Sequence, residues 1–224
     1  MKVFVVIPAY QEASSVGAVV RAVKPYAEAV VVVDDGSSDN TLAVARAAGA
    51  ICLRHAVNRG YGAALTTGTV YALSLGAEAV VHFDADGQFY PGDIERLVAA
   101  LPPAQPSAAL GSRFLGQAID MPALRRLTLK LAIIFTWAVS GVKLSDAHNG
   151  LRAFTSQALR LMHWQQDRMA FSSEVIDELV RAKIPWVEVP VTVRYTAYSQ
   201  QGSKQGRLPA LKIVKDLFLG RLIK

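Results

Sequence analysis

Residues 3–39 read VFVVIPAYQEASSVGAVVRAVKPYAEAVVVVDDGSSD, and the rest of the architecture can be worked out from them. Two short runs, 3–7 and 30–33, are rich in valine and almost wholly apolar, as strands buried on both faces must be. Between them, residues 14–24 carry apolar side chains at helical spacing. Strand, helix and strand at this spacing make a right-handed crossover in a parallel sheet covered by helices, an α/β fold. The alternation continues, with strands expected at 50–53, 79–83 and 108–113 and helices at 39–48, 61–75 and 92–101. Asp39 is the expected N-cap of the second helix and Gly49 its stop. The proline-rich residues 101–106 read as a loop inside one domain, not as a linker.

Composition sets the class. The 224 residues suit one domain, and 52% hydrophobic with 19% charged residues excludes a disordered chain. A single cysteine, Cys52, excludes an internal disulfide and a multi-cysteine zinc site. The apolar start has no cleavage site and reads as a first strand, not a signal peptide, so a cytoplasmic protein is expected. The net charge of +6 is uneven: residues 1–193 hold 17 basic and 17 acidic side chains, whereas 194–224 hold seven basic and one acidic. A basic terminal segment suits a phosphorylated ligand, an anionic membrane surface or nucleic acid. No aromatic-interleaved basic patch or recognised module supports nucleic acid.

In open parallel sheets, ligands bind outside the carboxyl ends of the strands. There the chain places Pro8-Ala-Tyr10-Gln-Glu12, then Asp34-Asp35-Gly36, then Asp84-Ala85-Asp86-Gly87-Gln88, then Gly111-Ser-Arg113-Phe114. Three acidic clusters on one rim repel one another and call for a cation among them. Asp84 and Asp86 would face opposite ways on a regular strand, so they share a ligand only if the chain turns, which Gly87 permits. Carboxylates of this kind favour Mg²⁺ or Mn²⁺, and Gln88 offers a further oxygen. Gly60 and Gly62, before a helix, read mainly as close-packing positions. His55, His82, His148 and His163 lack metal-ligand spacing and read as structural; Glu188 reads as the solvent face of a strand.

The set IPAYQE (7–12), VVDDGSSD (32–39), NRGYGAAL (58–65), DADGQ (84–88) and GSRF (111–114), in this order, resembles family 2 glycosyltransferases of the GT-A fold. The second half, with DAHNGLRAF (146–154), a helix at 171–183, VEVPV (187–191) and GSK (202–204), resembles dolichyl-phosphate mannose synthases and bacterial polyprenyl-phosphate sugar transferases. Gln11 stands where Asn is more usual. The resemblance implies a mostly parallel sheet with a nucleotide-sugar-binding half (1–115), an acceptor half (116–207) and a basic amphipathic C-terminal helix (208–224). It implies Pro8, Tyr10, Glu12 and Asp35 around the nucleotide, with Asp35 on the base. It implies a divalent metal on Asp84, Asp86 and Gln88, with Ala85 in the same turn, and Arg113, Arg194 and Lys204 on phosphates or acceptor.

The implied reaction passes a sugar from a nucleotide diphosphate to a polyprenyl monophosphate, with inversion. Arg113 and the two metal carboxylates are its catalytic candidates, with Asp146 as an organiser on the acceptor side. The acceptor would meet Arg125, Arg126, Lys130 and Arg152. Leu124, Leu127, Leu131, Ile134, Ala138 and Val142 recur at helical spacing behind those basic residues. The apolar stretch 131–142 spans roughly 18 Å, too short for a hydrocarbon core of about 30 Å, so the helix lies either in the membrane interface or in an ordinary core. Peripheral binding to the cytoplasmic membrane face is expected, through this helix and the basic tail or through a small membrane partner. Two alternatives stay open: transfer to a glycan or lipid-linked saccharide hydroxyl, with Asp146 or Asp120 as base, and a catalytically silent nucleotide-binding scaffold.

Overall fold

The computed structural model of the chain describes residues 1–103, 105–168 and 170–196. The first half runs β1 (Val3–Ala9), α1 (Val16–Val23), β2 (Ala29–Asp34), α2 (Thr41–Ala47), β3 (Ile51–Arg54), α3 (Tyr61–Ser74), β4 (Ala79–His82) and α4 (Asp93–Ala99). Then come β5 (Ala108–Ile119), α5 (Ala123–Ser140), β6 (Arg152–Thr155), α6 (Ser156–Leu161), α7 (Phe171–Arg181) and β7 (Trp186–Arg194). The strands form one sheet in the order β3-β2-β1-β4-β6-β5-β7. Only β6 runs against its neighbours, antiparallel to β4 and β5.

Alternation along β1 explains why both of its faces are apolar. Val3, Val5 and Ile7 enter one core with Val16 and Val20 of α1 and Ile94 and Leu97 of α4. Phe4 and Val6 enter the other, with Leu65 of α3 and Phe171, Val175 and Leu179 of α7. Each such side chain withdrawn from water contributes about 1.5–3 kcal/mol, so the two layers of helix clamp the sheet from both sides. The rim above the strands is then set by the sheet.

Four elements differ from the sequence-based expectation. The N-cap position of α2 is Asn40, although the Asp39 carboxylate does accept from the Thr41 amide at 3.0 Å. The fifth strand runs on to Ile119 because β7 pairs beside it, across an irregularity between Ser112 and Gln117. Strand β6 and the short helix α6 directly after it were not anticipated: they follow one another with no turn residues between them to mark either off.

The segment 162–168 folds over the start of α3. Glu174 accepts the Gln165 and Gln166 amides, each at 2.9 Å, and Glu178 accepts the His163 amide at 2.6 Å. Gly62 lies directly beneath this segment, where a Cβ would overlap the Gln166 carbonyl oxygen and press on Phe171. The close-packing reading of this glycine therefore holds. Intrinsic helix preference favours alanine over glycine by about 1 kcal/mol. We nevertheless expect Gly62→Ala to lose about 1–3 kcal/mol of stability by overpacking, measured by urea unfolding. An unchanged or higher midpoint would contradict this packing.

Candidate active site

The chain leaves β1 for β2 and β3 on one side and returns to β4 on the other. Strands β1 and β4 therefore flank a switch point, where open sheets form a ligand crevice. Their pairing ends at Val6↔His82. Pro8, which has no N–H to give to a ladder, lies in β1 beyond that last partner.

Beyond His82 the chain turns, with Gly87 at φ +73°, and this turn brings Asp84 and Asp86 to the crevice together. Tyr61, the first residue of α3, donates its hydroxyl to Asp84 Oδ1 at 2.9 Å. Asp86 Oδ1 accepts the Gln88 amide at 3.0 Å, and the Gln88 carbonyl accepts the Arg194 amide at 2.8 Å, so the end of β7 lies against the acidic turn. Ala85 between the two aspartates is buried. Glu12 faces them from the end of β1, its carboxylate held by the Ser15 hydroxyl at 2.7 Å. Burial raises the Asp84 carboxyl above its usual range. Burial and the Asp84 charge push Asp86 up to about 7.

The nucleotide side is more constrained than expected. Tyr10 is partly exposed at 38%. Gln11 stands at φ +55°, a left-handed position that Asn tolerates better than most non-glycine residues, which accounts for the more usual Asn. Asp35 is buried, and protein donors engage both of its oxygens: His55 Nδ1 at 2.7 Å, the Arg59 amide at 2.9 Å and the Gly60 amide at 2.7 Å. Instead of reaching freely to a base, Asp35 braces the loop that starts α3. Together with the Ala63 amide on the Asp167 carbonyl at 3.0 Å, this consumes the donors a phosphate cradle would need.

On the acceptor side, two expected ligand contacts turn inward. Arg113 is buried, giving Nε to Asp146 Oδ2 at 2.6 Å, Nη1 to the Tyr195 hydroxyl at 2.7 Å and Nη2 to the His148 carbonyl at 3.1 Å. Burial works against its charge, but Asp146 and Tyr195 together outweigh that and raise its pKa. Arg152 is likewise buried, donating to the Ala147 and Ser172 carbonyls at 3.4 and 3.3 Å, with its charge felt by Asp84. It is a counter-charge beneath the acidic turn, not a surface contact for the acceptor. Burial drives His148 down to about 4 and His82 to about 3, so both are neutral. Glu188, expected to face solvent, accepts the Ser145 amide at 2.8 Å and hydroxyl at 2.6 Å and so holds the loop carrying Asp146.

Helix α5 carries Arg125, Arg126 and Lys130 exposed in its first half, and Arg125 is near enough to His148 to influence it electrostatically. Leu124, Leu127, Leu131 and Ile134 are 56–76% exposed, so the predicted apolar stripe faces outward, while Leu129 and Thr136 pack inward. The core-helix alternative fails; Val142 lies beyond the helix end. Lys204 and the C-terminal amphipathic stretch lie outside the described residues.

Among the described residues, no group of three or more His, Cys, Asp or Glu is placed to hold a metal ion by itself. Asp84 and Asp86 are hard oxygen donors whose carboxyls resist ionising, chiefly through burial and, for Asp86, the neighbouring Asp84 charge, and two such ligands suit a Mg²⁺ or Mn²⁺ that arrives with phosphate oxygens. The donor set fits that class of ion.

A carboxyl held near 7 when folded, against 3.8 unfolded, binds its proton more tightly in the fold. The apo fold therefore loses stability as pH rises from about 4 to about 7, by at most about 1.4 kcal/mol per unit. Asp86→Asn should exceed wild type in chelator by about 1–3 kcal/mol at pH 8, shrinking towards zero near pH 4, by urea unfolding. A difference independent of pH would contradict the burial of Asp86 beside the Asp84 charge.

Comparison with known proteins agrees with this geometry. The model of the glycosyl transferase family 2 domain matches residues 4–161. A UDP-N-acetylglucosamine–dolichyl-phosphate N-acetylglucosaminyltransferase of Methanococcus voltae is 30% identical, over 88% of this chain and 87% of its own. A polyprenol monophosphomannose synthase of Mycolicibacterium smegmatis is 28% identical, over 99% and 89%. Among solved structures, glucosyl-3-phosphoglycerate synthase of Mycobacterium tuberculosis, determined with Mn²⁺, UDP-glucose and phosphoglyceric acid, superposes with a TM-score of 0.70. That match covers 98% of this chain and 79% of the other, and at 19% identity it speaks to the fold alone. With its sheet, its acidic turn at the switch point and its matched family model, the chain belongs to the family 2 glycosyltransferases, on the GT-A fold.

Proposed function

We propose that this glycosyltransferase moves a sugar from a nucleotide diphosphate onto a polyprenyl monophosphate at the cytoplasmic membrane face, with inversion and with Mg²⁺ or Mn²⁺. The observation that carries the acceptor assignment is α5, where exposed Arg125, Arg126 and Lys130 adjoin an outward stripe of Leu124, Leu127, Leu131 and Ile134. A lipid phosphate needs both a cationic anchor and a greasy face, and a helix lying in the interface offers them together. No helix among the described residues is long and apolar enough to cross a membrane. The dolichyl- and polyprenyl-phosphate relatives support the same acceptor class.

When bound on Asp84 and Asp86, the divalent cation supplies positive charge at the departing diphosphate. Pro8, Tyr10 and Glu12 line the donor crevice at the end of β1, and Arg194 approaches from the end of β7. Arg113 keeps Asp146, the His148 carbonyl and Tyr195 in one cluster, so its part is to position the acceptor loop. The second pKa of an alkyl phosphate is near ~6, so this acceptor is ionised at neutral pH and attacks without a base. Asp146 fits that economy: Oδ2 is committed to Arg113 and Oδ1 is shut off from solvent. A hydroxyl acceptor would need a base open to it, and of the two candidates only Asp120 is exposed, whereas Asp146 is buried.

The test is transfer of labelled sugar from UDP-, GDP- and dTDP-sugars to undecaprenyl phosphate, with Mn²⁺ or chelator. Activity should vanish in chelator and in Asp84→Ala and Asp86→Ala. At saturating donor, Arg125→Ala or Arg126→Ala should raise the acceptor KM at least tenfold, because a charge-assisted bond to phosphate is worth about 1.5–3 kcal/mol. Transfer to a saccharide hydroxyl but not to the lipid phosphate would overturn the acceptor assignment.

A further inference from the structure

Tyr61 belongs to none of the motif positions expected to touch ligand, yet its hydroxyl lies 2.9 Å from Asp84 Oδ1. Its place does not depend on Asp84. Gly60, just before it, is tied to Asp35 at 2.7 Å, and Ala63, just after, to the Asp167 carbonyl at 3.0 Å. Its ring meets Phe171 edge-on, 6.3 Å between centroids at 74°. The other side of the pair is closed by backbone: a Cβ on Gly150 would come within 2.7 Å of Asp84 Oδ2 and 2.9 Å of the Tyr61 hydroxyl. The carboxylate thus sits in a slot between a fixed phenol and a chain segment with no side chain.

We propose that Tyr61 is a positioning residue for the metal-binding turn: its hydroxyl holds one oxygen of Asp84, and with Gly150 it leaves that carboxylate a single orientation from which to meet a divalent cation. The inference rests on the metal-dependent reading above. A free aspartate on a turn samples several rotamers, and only some of them aim at a shared ion. A hydrogen bond from an anchored donor removes that freedom before the ion arrives. Partners of this kind, one shell behind a metal ligand, typically cost 10–100-fold in metal affinity when removed. A purely structural role for Tyr61 would reside in its ring, which packs on Phe171; the positioning role resides in its oxygen alone.

Tyr61→Phe separates the two, since it keeps the ring and deletes the oxygen. The probe is Mn²⁺, titrated at fixed excess UDP, GDP or dTDP, and the readouts are the half-saturating Mn²⁺ concentration for thermal stabilisation and the melting temperature in chelator. Tyr61→Phe should need at least tenfold more Mn²⁺ than wild type, with its melting temperature in chelator within a degree or two of wild type. Gly150→Ala, which crowds Asp84 from the opposite side, should shift the Mn²⁺ midpoint the same way. Equal midpoints for wild type and Tyr61→Phe would overturn the role of Tyr61 while leaving the metal reading intact. A wild-type response to Mn²⁺ no stronger than that of Asp84→Ala, with every nucleotide, would overturn the metal reading and this proposal with it.

Discussion

Negative charge gathered at the carboxyl ends of β1 and β4 is the constraint around which the rest of the molecule is arranged. Glu12, Asp84 and Asp86 face one another where the strand order reverses, and burial together with the Asp84 charge holds a proton on Asp86 to about pH 7. Each member of the cluster is held by a neighbour. Ser15 holds Glu12, Tyr61 holds Asp84, the Gln88 amide holds Asp86, and buried Arg152 supplies countercharge from beneath. Two of these ties, from Tyr61 of α3 and Arg152 of β6, come from elements distant in the chain, so the acidic rim bears on how those elements meet.

A second buried cluster organises the other half. Arg113 joins β5 to the loop carrying Asp146 and His148 and to Tyr195 just after β7. Glu188 of β7 grips the same loop through Ser145. Breaking a buried pair such as Arg113–Asp146 leaves an uncompensated charge and is strongly destabilising, typically by about 3–5 kcal/mol. The loop carrying Asp146 and His148 is thereby held from two sides, by β5 and by β7.

Most of the fold was legible because strands buried on both faces are continuous apolar runs, and β1, β2 and β4 show this plainly. The turn at Asp84–Gly87 was legible from glycine and from the period-two argument against a straight strand. What escaped was direction. Arg113 and Arg152 stand among ligand motifs, and sequence alone cannot tell a guanidinium aimed at a phosphate from one turned inward onto a carboxylate or carbonyls. Glu188 shows the converse, a charge in an apolar strand that reads as exposed yet is half-buried on Ser145. Asp35 is equally ambiguous until His55 and the Arg59 and Gly60 amides are seen around it. Tyr61 left no signal beyond its neighbouring glycines, because its partner lies 23 residues away.

Under the proposed function, this rim holds a divalent cation between the acidic turn and a nucleotide diphosphate. The most direct measurement is anomalous scattering at the manganese edge from crystals of the chain grown with Mn²⁺ and a nucleoside diphosphate. A manganese peak is expected at bonding distance from a carboxylate oxygen of Asp84 or Asp86 and from the diphosphate. A nucleotide bound in the crevice with no manganese at the turn, or with the peak elsewhere, would contradict it.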